Sequence, residues 1–460
     1  MKKPFSLLKS LLLLAGLGGY SSLYAQVTID PNDTLALALR DLQSLETEVS
    51  NTDPRLAEPL FQVAREFRDS GRYADAHAAL DRGQQIIRMN EGLYTGAQIP
   101  YIQEKIDNYA DWQQWDDART LQEHLLWLHR SKTRYITSDL IEDFMALSRL
   151  HQRGISEDSL EFQAFHFRRA STANWLALAA GERLWGRMDT RLVPVLYELV
   201  KQHHLQAEAI AMGGRTSYQL RQIIPGSDLV RERSVMRTLF YETGRRLLSQ
   251  IREIYAEAQP VNLEGVAMAN LYLADWEVVF DNPERALLSY DVAYRNLVMA
   301  DVDELQRERF FASPSLLPEK VFYASLQEAE QARAPDVAWE LSHLDNAQAA
   351  LYFAEWSPTF PNVRAPYQQH TQQLDSNFAL FSLNLSGVTE ISRWLNPDTV
   401  QSFGELLDVT LLKPDVPSSP TMEAELRRRL ERLHFRPRLE NGLPIETEAT
   451  LLYQPALTLN

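Results

Sequence analysis

His203 and His204 are adjacent, and His124 and His129 stand five apart. Two ligands on one helix face sit three or four residues apart, so neither pair has metal-ligand spacing. Adjacent histidines on a helix point to different sides, and all four read as ordinary surface or core side chains. Met212-Gly213-Gly214-Arg215 follows a helical run with no phosphate-loop lysine and reads as a helix stop, and Gly16-Leu-Gly-Gly19 lies in an apolar leader. No Gly-x-Ser-x-Gly elbow and no His-Glu-x-x-His is present. The chain has no cysteine, which removes thiolate metal sites, thiol catalysis and disulfides. The sequence therefore predicts no catalytic residue, no cofactor and no metal. Carboxylates are abundant, and Glu264 or Glu277 would serve a helical lytic enzyme. A buried carboxylate that holds its proton in an aromatic cleft would be the mark of that alternative.

Basic chemistry is local. Arg427, Arg428 and Arg429, with Arg432, Arg436 and Arg438, make a cationic patch on an acidic chain. A solvated helix face complementing its own dipole is one reading, and a docking patch for an acidic partner is the other. Tyr94, Tyr101, Tyr109, Trp112, Trp115 and Trp127 are dense enough to pack between helical repeats, with some lining a groove for peptides.

These residues must be carried by more than one core. At 460 residues two or more domains are expected. The net charge is −16, which disfavours nucleic acid, whose affinity for proteins comes largely from cations neutralising phosphates. Residues 1–25 read as a secretory signal: Lys2, Lys3 and Lys9 precede Leu7, Leu8 and Leu11 to Leu14, and Leu23-Tyr24-Ala25 fits a cleavage site. Removing them takes away three lysines and no acid, so the mature chain is more acidic still. The uninterrupted apolar stretch is short of the roughly 20 residues a membrane span needs. An uncleaved anchor in the inner membrane is the alternative. No segment of the mature chain is apolar enough to span.

From about residue 34 to 355 apolar residues recur at three and four spacing, which predicts helix almost throughout. Leu60, Val63, Ala64, Phe67, Gly71, Tyr73, Ala76, Leu80 and Gly83 form one register. Ile102, Ile106, Tyr109, Trp115, Ala118 and Leu125 occupy matching positions 42 residues later. A third candidate runs from Leu273-Ala274 through Asp281-Asn-Pro-Glu-Arg-Ala286, with Tyr290 and Ala293. There Asn270 and Glu277 stand where bulky residues are expected. The pattern resembles the tetratricopeptide repeat: Ala64 lets the second helix approach, Gly71 makes the turn with Tyr73 after it, and Ala76 is the small contact on the second helix. Trp115, Ala118 and Ala286 hold equivalent places. The resemblance implies an α-solenoid of helical hairpins over residues 26–356.

Three prolines in nine residues, Pro358 to Pro366, break the helical period and predict a Pro-rich and polar linker over 357–375. Beyond it Phe381, Leu383 and Leu385 alternate with polar residues as in a half-buried strand. Ser386-Gly387 would turn the chain into a return strand from Val388 to Trp394, and Val409 to Leu412 reads as a further short strand. Ser419-Pro420 opens a helix carrying Leu426, Leu430 and Leu433 on one face. Phe435-Arg-Pro, the Asn441-Gly442 turn and the strand Ile445 to Tyr453 close the chain. This order resembles the TonB C-terminal domain over residues 376–460, a small α/β (ββαβ) module. That resemblance implies a periplasmic protein with outer-membrane or envelope partners, captured by adding a strand to an open edge formed by Ile445–Tyr453. Ile445, Thr447, Ala449, Thr450 and Leu451, with the arginines 427, 428, 429 and 432, would then contact the partner.

Together these features predict a mostly α bacterial protein, exported and non-catalytic, acting as a scaffold or adaptor for protein partners. An energy transducer held by an uncleaved leader and a cell-wall or polysaccharide-processing enzyme are the alternatives. N-terminal sequencing of the mature protein should begin at Gln26; a full-length product embedded in the membrane would contradict export with cleavage.

Overall fold

The computed structural model describes residues 34–131, 136–312, 314–333, 350–352, 379–388, 402–413 and 433–453. The leader, the Pro-rich linker and the helix with Arg427, Arg428, Arg429 and Arg432 lie outside the described residues. The chain divides into two compact units, one ending at Gln114 and one starting at Trp115. Most described residues are helical, and the strands are confined to a small C-terminal share.

The first unit holds α1 (Thr34–Glu48), α2 (Ala57–Asp69), α3 (Tyr73–Glu91) and α4 (Ile99–Asp111). α2 buries Leu60, Val63 and Ala64, while α3 buries Ala76, Ala79, Leu80, Gly83, Ile86 and Ile87. The connection between them needs a left-handed residue. Gly71 takes φ 72°, its N–H donates to Arg68 O, and Arg72 N–H donates to Phe67 O. The same pair of bonds recurs after α4, at Gln113 (φ 60°) and Gln114. A glutamine there costs roughly 1–2 kcal/mol relative to glycine, so the turn is held by its hydrogen bonds rather than by residue preference.

The second unit begins with α5 (Trp115–Ser131), α6 (Ser138–Glu157), α7 (Gln163–Trp185), α8 (Val193–Met212) and α9 (Gly214–Arg221). α10 (Arg233–Glu257), α11 (Leu263–Val279), α12 (Pro283–Met299), α13 (Glu304–Ala312) and α14 (Leu326–Arg333) follow. α6 packs on α7, α7 on α8, α8 on α10, α10 on α11 and α11 on α12. The turn before α12 repeats the Gly71 pattern with Asp281 at φ 59° and Asn282 N–H donating to Glu277 O. α11 is the central element. Every residue from Ala267 to Val279 is buried, so it is enclosed around its whole circumference rather than along one stripe. Gly244 on α10 lets Trp276 of α11 lie against the backbone; a Cβ there would meet the ring at 2.1 Å.

The strands are β1 (Ser315–Leu317), β2 (Ala350–Tyr352), β3 (Ala379–Leu385), β4 (Leu406–Lys413), β5 (His434–Arg436), β6 (Leu439–Glu440), β7 (Leu443–Pro444) and β8 (Thr447–Tyr453). Four of them form a sheet in the order β2-β8-β3-β4. Two expectations are corrected here. β3 does not fold back at Ser386-Gly387; it pairs antiparallel with β4 and with β8, and Val388 N–H donates to Pro444 O at 2.9 Å. Nor is β8 an open edge. β3 lies on one side and β2 on the other, with Thr450 and Leu451 opposite Ala350 and Leu351. The physical reason is the apolar run Ala350-Leu351-Tyr352, which covers an edge that would otherwise present unpaired backbone groups. Among the described residues, β2 and β4 end the sheet.

The strands also reach back into the helices. β5 pairs antiparallel with β1, before the linker, and β6 and β7 form a tight hairpin about Asn441-Gly442. Asn441 (φ 51°) and Gly442 (φ 81°) both take left-handed conformations, as a two-residue hairpin requires. That turn rests on α12, where Tyr294 Oη donates to Asn441 Oδ1 at 3.1 Å. Phe435 is fully buried, and Arg436 is 2% exposed. The Arg436 guanidinium pairs with Asp275 of α11 at 3.3 Å and with Glu319 after β1. Removing one partner of a buried ion pair strands the others in a low dielectric. Arg436→Ala should therefore lower the stability of the second unit by about 3–5 kcal/mol, measured by urea denaturation of the full chain, against less than 1 kcal/mol for Arg438→Ala at the surface. Equal effects for the two would show that the ion pair does not hold the C-terminal strands to α11.

Candidate functional site

A cavity of about 240 Å³ opens between α10, α11 and α12. Arg245, Ser249 and Arg252 line it from α10, four and three residues apart on one face. Asn270, Leu273 and Glu277 form its floor from α11, again on one face. Leu288, Ser289 and Val292 of α12 close the third side. Leu288 is 67% exposed and Val292 40% exposed, so this wall is apolar and open to solvent. Asn270 and Glu277, the two residues that break the repeat pattern, are thus neighbours on the floor of one groove.

Glu277 is held by charge and hydrogen bonds. Tyr241 Oη donates to Glu277 Oε2 at 2.8 Å, and Arg245 Nε lies 3.3 Å from Oε1. Arg285 donates in turn to Tyr241 Oη at 2.8 Å. Burial pushes the Glu277 carboxyl above the usual carboxylate range, while the Tyr241 bond and Arg245 pull the other way. Burial, and then the Glu277 bond, also push the Tyr241 phenol up. Behind Tyr241 lies a second, wider cavity of about 760 Å³, floored by Phe280 and the Asp281–Arg285 turn. Glu277 is thus a buried carboxylate with raised proton affinity beside Tyr241, Trp276 and Phe280. Among the described residues it is the only carboxylate lining the smaller cavity, whereas glycoside hydrolysis uses a pair across the scissile bond.

The positions singled out from sequence fall elsewhere. Ala64, Ala76, Ala118 and Ala286 are fully buried at helix contacts. Gly71 is exposed in its turn, and Tyr73 stacks on Trp112 with centroids 6.4 Å apart. Trp115 sets its face or edge against His166 at 5.9 Å. In the C-terminal strands Ile445 N–H donates to Arg438 O at 2.9 Å, and Thr447 Oγ1 accepts from Arg438 N–H at 3.1 Å. Both residues serve the internal ladder. Ala449, Thr450 and Leu451 lie in the interior strand β8. Arg436 is a buried ion-pair partner rather than part of a surface patch.

Sequence reasoning missed a histidine chain. His166 Nε2 lies 2.9 Å from Asp158 Oδ2, and its Nδ1 lies 3.1 Å from His151 Nδ1. Arg119 pairs with Asp158 on the other side, and Gly154 makes room for the His166 ring. Their spacing along the chain carries no signal, because α6 and α7 bring them together only on packing. Both are buried, as are His203 and His204. His203 Nδ1–H donates to Leu199 O at 2.6 Å. Among the described residues no group of three or more His, Asp and Glu is arranged to hold a metal ion. No described helix is long and apolar enough to cross a membrane.

No protein-family model and no curated protein matches the chain. Among solved structures, the crystal structure of BtubC (BKLC) from P. vanneervenii is similar at 13% identity with a TM-score of 0.36, over 60% of this chain and 94% of that one.

Burial is the main cause lowering the proton affinity of His151, His166, His203 and His204, the last to about 3. Each is neutral in the folded protein and takes a proton near pH 6.5 once unfolded. The stability they confer is complete above that pH and is lost as pH falls below it, by up to about 1.4 kcal/mol per pH unit for each. Urea midpoints should change little from pH 7.5 to about 6.5 and drop from there to about 5.5, and His204→Asn should flatten the drop. A midpoint that stays constant over this range would contradict the neutral, buried assignment.

Proposed function

We propose that this protein is an exported, non-catalytic scaffold that binds protein partners through the groove over α11, in the periplasm. The lysine-led leader supports export, and the repeated helical hairpins support a solenoid of tetratricopeptide type. The observation that carries the reading is the floor of the groove. Asn270 and Glu277 replace bulky packing residues with hydrogen-bonding groups, and an apolar wall of Leu288 and Val292 stands open beside them. Glu277 is met by Tyr241 and Arg245, whereas the Asn270 side chain faces the cavity with its hydrogen-bonding groups unused among the described residues. A partner segment that meets Asn270 accounts for its presence there. Strand capture by the C-terminal sheet, of the kind the TonB resemblance implies, would use β4 rather than β8.

The enzyme reading has one observation in its favour, the buried Glu277, whose proton affinity burial raises. Against it stand the single carboxylate and its neutralisation by Arg245 and Tyr241. A photo-crosslinking residue placed at Leu288 should capture envelope proteins in living cells, and the same residue at Leu160, exposed at 72% elsewhere in the second unit, should not. Capture from position 160 or from β4 position Leu407 but not from 288 would move the partner surface away from the groove. Glu277→Gln that abolishes hydrolysis of peptidoglycan by the purified protein would establish the enzyme instead.

A further inference from the structure

We infer that the groove over α11 selects an extended protein segment carrying an acidic side chain beside an apolar one. The inference rests on the reading of that groove as a partner site and adds the chemistry of its ligand. Asn270 is 7% exposed, lines the cavity, and its side chain makes no hydrogen bond among the described residues. An asparagine side chain offers one acceptor and two donors, the complement of a peptide group's N–H and C=O. An extended backbone supplies both, whereas a chain already folded in a helix has used them.

The two cations of the groove differ. Arg245 is engaged with Glu277 at 3.3 Å. Arg252, two turns further along α10, is partly buried and makes no ion pair among the described residues. Seven residues of helix separate their Cα atoms by about 10 Å. An extended segment covers that distance in about three residues at ~3.3 Å each. Asn270 and Arg252 line the same cavity, so a ligand whose backbone reaches Asn270 presents a nearby side chain to Arg252, where a carboxylate would form a charge-assisted pair. Successive side chains of an extended segment point to opposite faces, so one beside the acid turns toward Leu288 and Val292. The cavity, at about 240 Å³, lies below the ~300 Å³ at which drug-sized sites begin, which suits a side chain and a stretch of backbone rather than a cofactor. Ser249 and Ser289 add hydroxyls that either donate or accept.

The test uses the full chain and a display library of random dodecapeptides. Selected sequences should carry Asp or Glu within two residues of Leu, Ile, Val, Met or Phe. For a selected peptide, changing its acid to the amide should weaken binding at least tenfold on the wild-type protein, read by fluorescence anisotropy. On Arg252→Gln the same change should cost less than twofold. Asn270→Ala should weaken acid and amide peptides alike by tenfold or more, with an unaltered thermal melt. Peptides selected without acidic enrichment, or an amide penalty equal on the wild type and on Arg252→Gln, would overturn the acidic specificity while leaving the groove as the binding site. Peptides whose binding ignores both Asn270→Ala and Arg252→Gln would overturn the inference, and with no crosslinking from position 288 the groove reading would fall too. An isolated acidic ligand, tested as free glutamate, should not bind; if it binds as tightly as the peptide, the site takes a small anion and the inference is wrong.

Discussion

The buried pairing of Arg436 with Asp275 and Glu319 is the interaction on which the second unit turns. Asp275 belongs to α11, Glu319 follows β1, and Arg436 ends β5. Three charges removed from water are tolerated only when they meet one another, so each fixes the others in place. The aromatic surroundings reinforce this. Tyr290 Oη donates to Asp275 Oδ1 at 2.7 Å, and Tyr197 Oη donates to Glu319 O at 2.7 Å. The C-terminal strands are thereby tied to the helices rather than hung from them by a linker.

α11 has two working faces. Asp275 and Tyr272 look toward β1, β5 and the loop after β1, where Tyr272 Oη donates to Val321 O at 2.7 Å. Asn270, Leu273 and Glu277 look the other way, into the groove. With both faces engaged, α11 is buried on every side from Ala267 to Val279. The clasp on one side sets how firmly the floor is held on the other. Trp276, wedged against Gly244 with its Nε1–H bonded to Tyr241 O at 3.0 Å, links that floor to α10.

The mostly helical body was legible because three-and-four spacing survives wherever a helix buries one side. Alternation at Phe381–Leu385 likewise marked a strand. What failed was pairing. The sequence around Ser386-Gly387 has the look of a hairpin, but strand partners are chosen by the whole sheet, and β4 and β8 outcompete the local fold-back. The edge at β8 was misread for the same reason, since Ala350-Leu351-Tyr352 sits inside a stretch whose period looks helical. Asn270 and Glu277 were visible only as exceptions to a pattern. That they share a cavity with Arg252 depends on the packing of three helices. The chain of Asp158, His166 and His151 was invisible, because burial and proximity convert unremarkable histidines into a network. The arginine cluster misled in one member: Arg436 is enclosed, whereas Arg438, two residues on, is exposed.

The pairing of β5 with β1 also imposes an order of assembly. Glu319 and Arg436 are 117 residues apart along the chain. A growing or translocating polypeptide presents α10, α11 and α12 long before the residues that cover the second face of α11. Until Arg436 emerges, the guanidinium that bridges Asp275 and Glu319 is missing, and the part of α11 that packs on β5 is uncovered. Completion of the second unit therefore waits for residues 434–436, a contact of high sequence separation that closes late and leaves an incompletely covered helix until it does.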